Sequence, residues 1–157
     1  MFQIKKRQII IKLRGLKTGY FKQIDSNLTL GFVSISLYPS KNNNVFFEFK
    51  SLAPNWKLME MLKSSQISEI DFEKEYLIQL NNLNAKTIFE QINLLTSDHE
   101  PILMTHGNKS SFCHRHIVAK WFENELGVRI DEFKIGAVRR SNGYMKKITQ
   151  KRLFENE

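Results

Sequence analysis

The side chains that could do chemistry are concentrated in one stretch, Glu100–Trp121, E-P-I-L-M-T-H-G-N-K-S-S-F-C-H-R-H-I-V-A-K-W. Cys113 supplies a thiol. His106, His114 and His116 are of the one residue type that can change charge around neutral pH. Arg115 carries a planar fork suited to phosphate or carboxylate. The apolar run that Pro101 opens, Ile102–Thr105, reads as a strand, residues 106–111 as a polar loop, and 112–126 as an amphipathic helix. Ligands collect beyond the carboxyl ends of strands in open α/β sheets. The helix start that follows offers free N–H groups and a positive dipole end to an anion. Ser110 or Ser111 is expected to cap this helix. Cys113 then falls in the first turn, where the dipole lowers a thiol pKa.

Each of these residues also has a plainer reading. Cys113, Ile117 and Trp121 recur at spacings of four, so the thiol can be one more member of a buried stripe. Arg115 can be an exposed charge or a salt-bridge partner, and the histidines can be ordinary surface or capping residues. His106, Cys113, His114 and His116 are all metal-ligand types, but no standard ligand spacing occurs, so no metal site is expected. Several enzyme signatures are excluded. A Cys-x₅-Arg loop needs Arg at 119, where Ala119 stands. Gly107-Asn-Lys-Ser110 lacks the upstream glycine of a phosphate loop. There is no Gly-x-Ser-x-Gly elbow and no zinc-deaminase pattern.

The elements that must hold these residues follow from periodicity. Gln8–Leu13 and Phe32–Leu37 read as strands. Pro54 suits the first position of a helix over 54–63, with Leu58, Met61 and Leu62 on its apolar side. Ser68-Glu-Ile-Asp71 resembles a capping box before a helix to about Leu80, with Phe72, Tyr76, Leu77 and Leu80 on one side. Asn84 caps a further helix bearing Ile88, Phe89, Ile92 and Leu95. The helix over 112–126 turns Ile117, Val118, Trp121, Phe122 and Leu126 inward, and Gly127 is placed as its left-handed C-cap. Val128–Phe133 is the next strand, so 101–105, 112–126 and 128–133 form a βαβ unit. Helices between strands indicate an α/β domain with part of its sheet parallel.

Composition sets the frame. The chain has 157 residues, 41% hydrophobic and 25% charged, which suits one globular domain. A single cysteine excludes a disulfide framework. No run reaches the roughly 18 apolar residues of a spanning helix. The start of the chain turns charged where a secretory signal turns apolar, so a cytoplasmic setting and no membrane partner are expected. The net charge of +8 sits at the ends: residues 1–24 carry +7, 134–157 carry +5, and the middle −4. Basic ends suit a polyanion, because neutralising phosphates releases counterions. They also serve as solubilising charge. Arg139-Arg140 and Lys146-Lys147, with Tyr144 nearby, are the candidate nucleic-acid contacts.

At Phe112-Cys-His-Arg-His116 the sequence resembles the bacterial and phage family known as domain of unknown function 488. Phe112-Cys-His-Arg-His-Ile-Val-Ala-Lys-Trp121 fills that family's helix slot, and Ile102-Leu-Met-Thr-His106 its strand slot. Thr18-Gly-Tyr-Phe21, Gly31-Phe-Val-Ser-Ile-Ser36, Leu52-Ala-Pro-Asn-Trp56 and Phe72 to Leu80 extend the likeness over about 13–133. The resemblance implies a single Rossmann-like α/β domain, its partly parallel sheet flanked by helices, over 1–133. It leaves 134–157 as a basic C-terminal extension, helix or mobile tail. Thr105 and Gly107 stand where relatives carry Cys and Glu, and that glutamate would be the natural general base.

Three functions follow as expectations. The first is binding of a phosphorylated ligand, a nucleotide or a nucleic acid, with Arg115, His106, Lys109, Ser111 and Thr105 around it. The second is an enzyme acting on nucleotide or nucleic acid, with Cys113 and His114 in catalysis. The third is a phage or mobile-element factor that binds a host protein. No cofactor is expected. Because the base is missing, binding ranks above catalysis at this point.

Overall fold

The computed structural model describes residues 15–25, 30–41 and 44–148. The strand read at Gln8–Leu13 lies outside these residues, as do Lys151 to Glu157. The chain runs β1 (Lys17–Tyr20), β2 (Phe32–Ser34), β3 (Phe47–Glu48), α1 (Trp56–Lys63), α2 (Glu69–Asn81), α3 (Ala85–Leu95), β4 (Ile102–Thr105), α4 (His114–Leu126), β5 (Asp131–Glu132), β6 (Val138–Ser141) and β7 (Tyr144–Lys147). Strands β1 to β5 form one sheet in the order β3-β2-β4-β1-β5, and all its pairs are parallel. This is a single α/β domain, as the alternation of helices and strands indicated. Among the described residues no helix is long and apolar enough to cross a membrane.

Two-residue alternation sorts the strands into faces. Phe32, Ile102 and Met104 point to one face and build a small cluster with Phe21, Ile24, Val45 and Phe133. Val33, Ile35 and Leu103 point to the other and join the main core with Phe72, Tyr76, Leu80, Ile88, Phe89, Ile92, Ile117, Val118, Trp121 and Phe122. Thr18 and Thr105 share that second face. Register places Thr18 beside Glu132 and Tyr20 beside Thr105, so polar side chains meet under α4. The sheet admits almost nothing extra near its amino end. A Cβ on Gly31 would lie 2.0 Å from the Glu100 carbonyl oxygen.

The helix limits are set by caps. Ser68 accepts from the Asp71 amide, Asn84 from the Thr87 amide, and Gly127 ends α4 with φ 64°. Four expectations change. Asn55 caps α1 by accepting from the Lys57 amide, so Pro54 precedes the cap and is not the first helical residue. Neither Ser110 nor Ser111 caps α4; Cys113 occupies that position, one residue before the first turn. Strand pairing in the Val128–Phe133 run is confined to Asp131–Glu132, and β1 lies between β4 and β5, so these two strands are not neighbours. Residues 138–147 are neither helix nor tail. They form an antiparallel hairpin whose Val138 and Arg140 are buried. Its turn, Asn142-Gly143, has φ 54° and 82°, the left-handed pair that an Asn-Gly hairpin turn requires.

Candidate functional site

The hairpin closes over the start of α4. The Gly143 carbonyl accepts from the Cys113 amide at 2.9 Å. A Cβ at Gly143 would lie 2.2 Å from the Phe112 ring, so close approach as well as the turn demands glycine. Phe112 packs edge-on against Phe72 and Tyr144, with ring centroids 5.6 and 5.7 Å away.

Cys113 is buried, yet it borders a cleft of about 170 Å³ at the carboxyl ends of β2 and β4. Ser36, Tyr38, Leu62, Lys63, His106 and His114 also line this cleft. The Cys113 Sγ lies 3.1 Å from the Thr105 Oγ1 and 3.7 Å from the His106 carbonyl. His114 Nε2 meets the Ile35 carbonyl at 2.8 Å. A carbonyl only accepts, so the neutral ring carries its proton on Nε2 and keeps the Nδ1 lone pair free. Tyr76 holds the other side of the ring edge-on, 5.8 Å between centroids, and its hydroxyl donates to the Leu52 carbonyl. The Leu52-Ala-Pro element thereby helps fix His114.

Burial alone would raise the Cys113 thiol pKa. The hydrogen bond and charge of His114, then the charge of Arg115 and the Thr105 hydroxyl, outweigh it and bring it down to about 6. Arg115 Nη1 approaches the Thr105 Oγ1 at 3.5 Å. Thr105 can thus accept from the guanidinium while donating its own proton to a thiolate.

Behind this opening lies a sealed charge network that the sequence did not suggest. Arg115 is 0% exposed. Its Nε donates to Glu132 Oε1 at 3.0 Å, its Nη2 donates to the Asn108 carbonyl at 3.0 Å, and its guanidinium sits 5.2 Å over the Tyr20 ring. Glu132 Oε2 accepts from Thr18 Oγ1 at 2.8 Å and from Arg140 Nη1 at 3.3 Å. The same Arg140 nitrogen donates to His116 Nδ1 at 2.7 Å. Burial, then the charges of Arg115, Arg140 and His114, push the His116 pKa down to about 2. His116 Nε2 and Arg140 Nε are buried without a partner among the described residues.

The structure therefore divides the residues singled out from the sequence. His106, Cys113 and His114 come together at the cleft, with Thr105 fully buried behind the Cys113 thiol. Arg115 stands one layer deeper, committed to Glu132. Ser111 shapes the loop through Asn108, and Lys109 is exposed on that loop. Arg139, Lys146 and Lys147 are exposed on the hairpin, but Arg140 points inward and is buried, its nitrogens bonded to His116, Glu132 and the Ile130 carbonyl. Among the described residues no group of three His, Cys, Asp or Glu is arranged to hold a metal ion.

The match to known families bears on the same core. The family model described as the active DUF488-N3 subclade matches residues 37–126. This chain belongs to that subclade. No curated protein and no solved structure matches it. The region matched to the DUF488-N3 model holds Tyr38, the Leu52-Ala-Pro element, Tyr76, Thr105, Cys113, His114 and Arg115. It stops before Glu132 and the hairpin, which supply the carboxylate and the cover over α4. Glu132 was missed because an acidic residue near the end of a strand carries no spacing signature. The Asn142-Gly143 dipeptide between Val138–Ser141 and Tyr144–Lys147 was a legible hairpin signal.

Proposed function

We propose that this DUF488-N3 protein is an enzyme that uses Cys113 as a thiolate nucleophile on a nucleotide or nucleic-acid substrate. The observation that carries this reading is the placement of the Cys113 thiol beside His114 and Thr105 at the edge of a cleft. The Nε2–H of His114 is anchored on Ile35, which leaves Nδ1 for the thiol. The reading exchanges the order of the first two functions expected from the sequence, for a physical reason. Arg115, the intended phosphate partner, already spends its guanidinium on Glu132 and the Asn108 carbonyl. The description of the subclade as active agrees with a catalytic role.

In this scheme the Sγ–H proton passes to His114 and the thiolate attacks an electrophilic carbon or phosphorus. A bond from sulfur forms, the bond to the leaving group breaks, and the leaving group takes the electron pair and the proton held by His114. Water then attacks the covalent intermediate, giving its proton to His114, and the thiolate is released. The positive end of α4, with Cys113 at its cap, favours the anion at both stages.

The test is the rate of Cys113 alkylation by iodoacetamide against pH, read by intact mass. The expected profile rises to a plateau with a midpoint near 6. A folded protein whose thiol stays unmodified, or reacts only as pH approaches 9, refutes the nucleophile.

A further inference from the structure

The cleft beside Cys113 is small for the substrate it must serve. Pockets that engulf a small-molecule ligand run to roughly 300–1,000 Å³, whereas this one offers about 170 Å³. Only a reactive end fits, and the rest of the substrate lies outside. The Phe112 ring forms one wall of this cleft, and across it stands Tyr144. Tyr144 borders a second hollow of about 400 Å³ on the hairpin, shared with Arg139, Ser141, Lys146 and Lys147.

Strand alternation buries Val138 and Arg140 and turns Arg139 and Ser141 outward. Register sets Arg139 directly opposite Lys146 and Ser141 opposite Tyr144. Like charges directly opposite across an antiparallel pair are destabilising. Neither Arg139 nor Lys146 forms an ion pair with a described residue. Residues 134–148 hold five basic residues and no acidic one. Of these five, Lys134 pairs with Asp25 and Arg140 with Glu132, while on the outward face Glu69 accepts from the Tyr144 hydroxyl and steadies a ring that remains 39% exposed.

The geometry points to the outward face of the hairpin as a track for a single-stranded nucleic acid, which leads one nucleotide past Phe112 to Cys113. Arg139 and Lys146 pair with successive phosphates, and Tyr144 stacks on a base. A single strand suits the narrow cleft because its bases are already unpaired. This inference names the substrate class of the thiol enzyme proposed above and rests on that reading for the chemistry, but binding is measured independently.

The experiment is fluorescence anisotropy of a labelled 12-nucleotide DNA, and of an RNA of the same sequence, with the full chain at several salt concentrations. Binding of either strand or both supports the track and tells which sugar it accepts. Arg139→Gln with Lys146→Gln is expected to weaken binding by on the order of tenfold at low salt, and to flatten the salt slope by about 1.4 for two lost phosphate contacts. The double variant should keep or raise its thermal midpoint. Tyr144→Ala is expected to weaken binding about fivefold or more through lost stacking, and Tyr144→Phe to retain it. Absence of binding to both strands overturns the inference, as does unchanged affinity in the double variant at matched salt. An inert thiol beside normal, Arg139-dependent strand binding would remove the nucleophile and leave the track standing.

Discussion

His114 and His116 are two residues apart on one helix and do opposite things. At 3.6 residues per turn, that spacing rotates the second ring to the far side of the first. His114 faces the cleft, donates from Nε2 to the Ile35 carbonyl, and keeps Nδ1 for the thiol. His116 faces the hairpin, accepts from Arg140 at 2.7 Å, and is held neutral by burial and by the cations around it. One histidine can exchange a proton with a neighbour that opens to solvent. The other is a fixed acceptor inside a network of two arginines and one carboxylate. Residue type made both into candidates for chemistry, and the surroundings leave only one of them free for it.

The sharpest way to break the comparison is to remove the carboxylate from the sealed side. Glu132→Ala strands Arg115 and Arg140 as buried, uncompensated charges. Loss of one partner from such a network costs about 3–5 kcal/mol, read as a lower urea midpoint. A loss below about 1 kcal/mol would mean that the network contributes little.

On the open side the next effect is electrostatic. His114→Gln removes the hydrogen bond and charge that hold the Cys113 thiol near 6. The midpoint of its alkylation profile should climb toward 9, so reactivity at pH 7 falls while the fold persists. His116→Gln should leave that profile far less altered.

His116 leaves its own mark on stability. Folded His116 takes a proton only near pH 2, whereas the unfolded ring does so near 6.5. Between those values the unfolded chain binds one proton more, so stability falls as pH drops below 6.5, by about 1.4 kcal/mol per pH unit. Between pH 6 and 5 the wild type should lose stability more steeply than His116→Gln, in matched urea titrations. Parallel curves would show that His116 is protonated inside the folded protein.

Much of this arrangement was legible in the chain. Periodicity and caps gave α2, α3 and the C-terminal end of α4, because Ser68, Asn84 and Gly127 act through local bonds. The residues at and behind the cleft were legible for a similar reason, since Thr105, His106, Cys113 and His114 flank one strand-to-helix connection. What was hidden depends on sequence-distant partners. Arg115 reads as a surface fork until Glu132, 17 residues on, takes its Nε. Cys113 reads as a first-turn residue until the Gly143 carbonyl, 30 positions away, claims its amide. The hairpin itself was missed differently. Its weak periodicity left helix and tail both open, because two four-residue strands carry little pattern, and the Asn142-Gly143 turn is the one local signal for it.

Arg139 and Arg140 repeat the contrast of the two histidines within one dipeptide, and they yield the smallest effect. Arg140 points inward, where its nitrogens serve Glu132, His116 and the Ile130 carbonyl. Arg139 points outward and faces Lys146 across the hairpin. Arg139→Glu turns a repulsive cross-strand pair into an attractive one, a change of roughly 0.2–1 kcal/mol. The variant should unfold slightly later than the wild type while binding a single strand more weakly. A protein that becomes less stable instead would show that Arg139 supports the hairpin, and that its outward charge is not held in reserve for a polyanion.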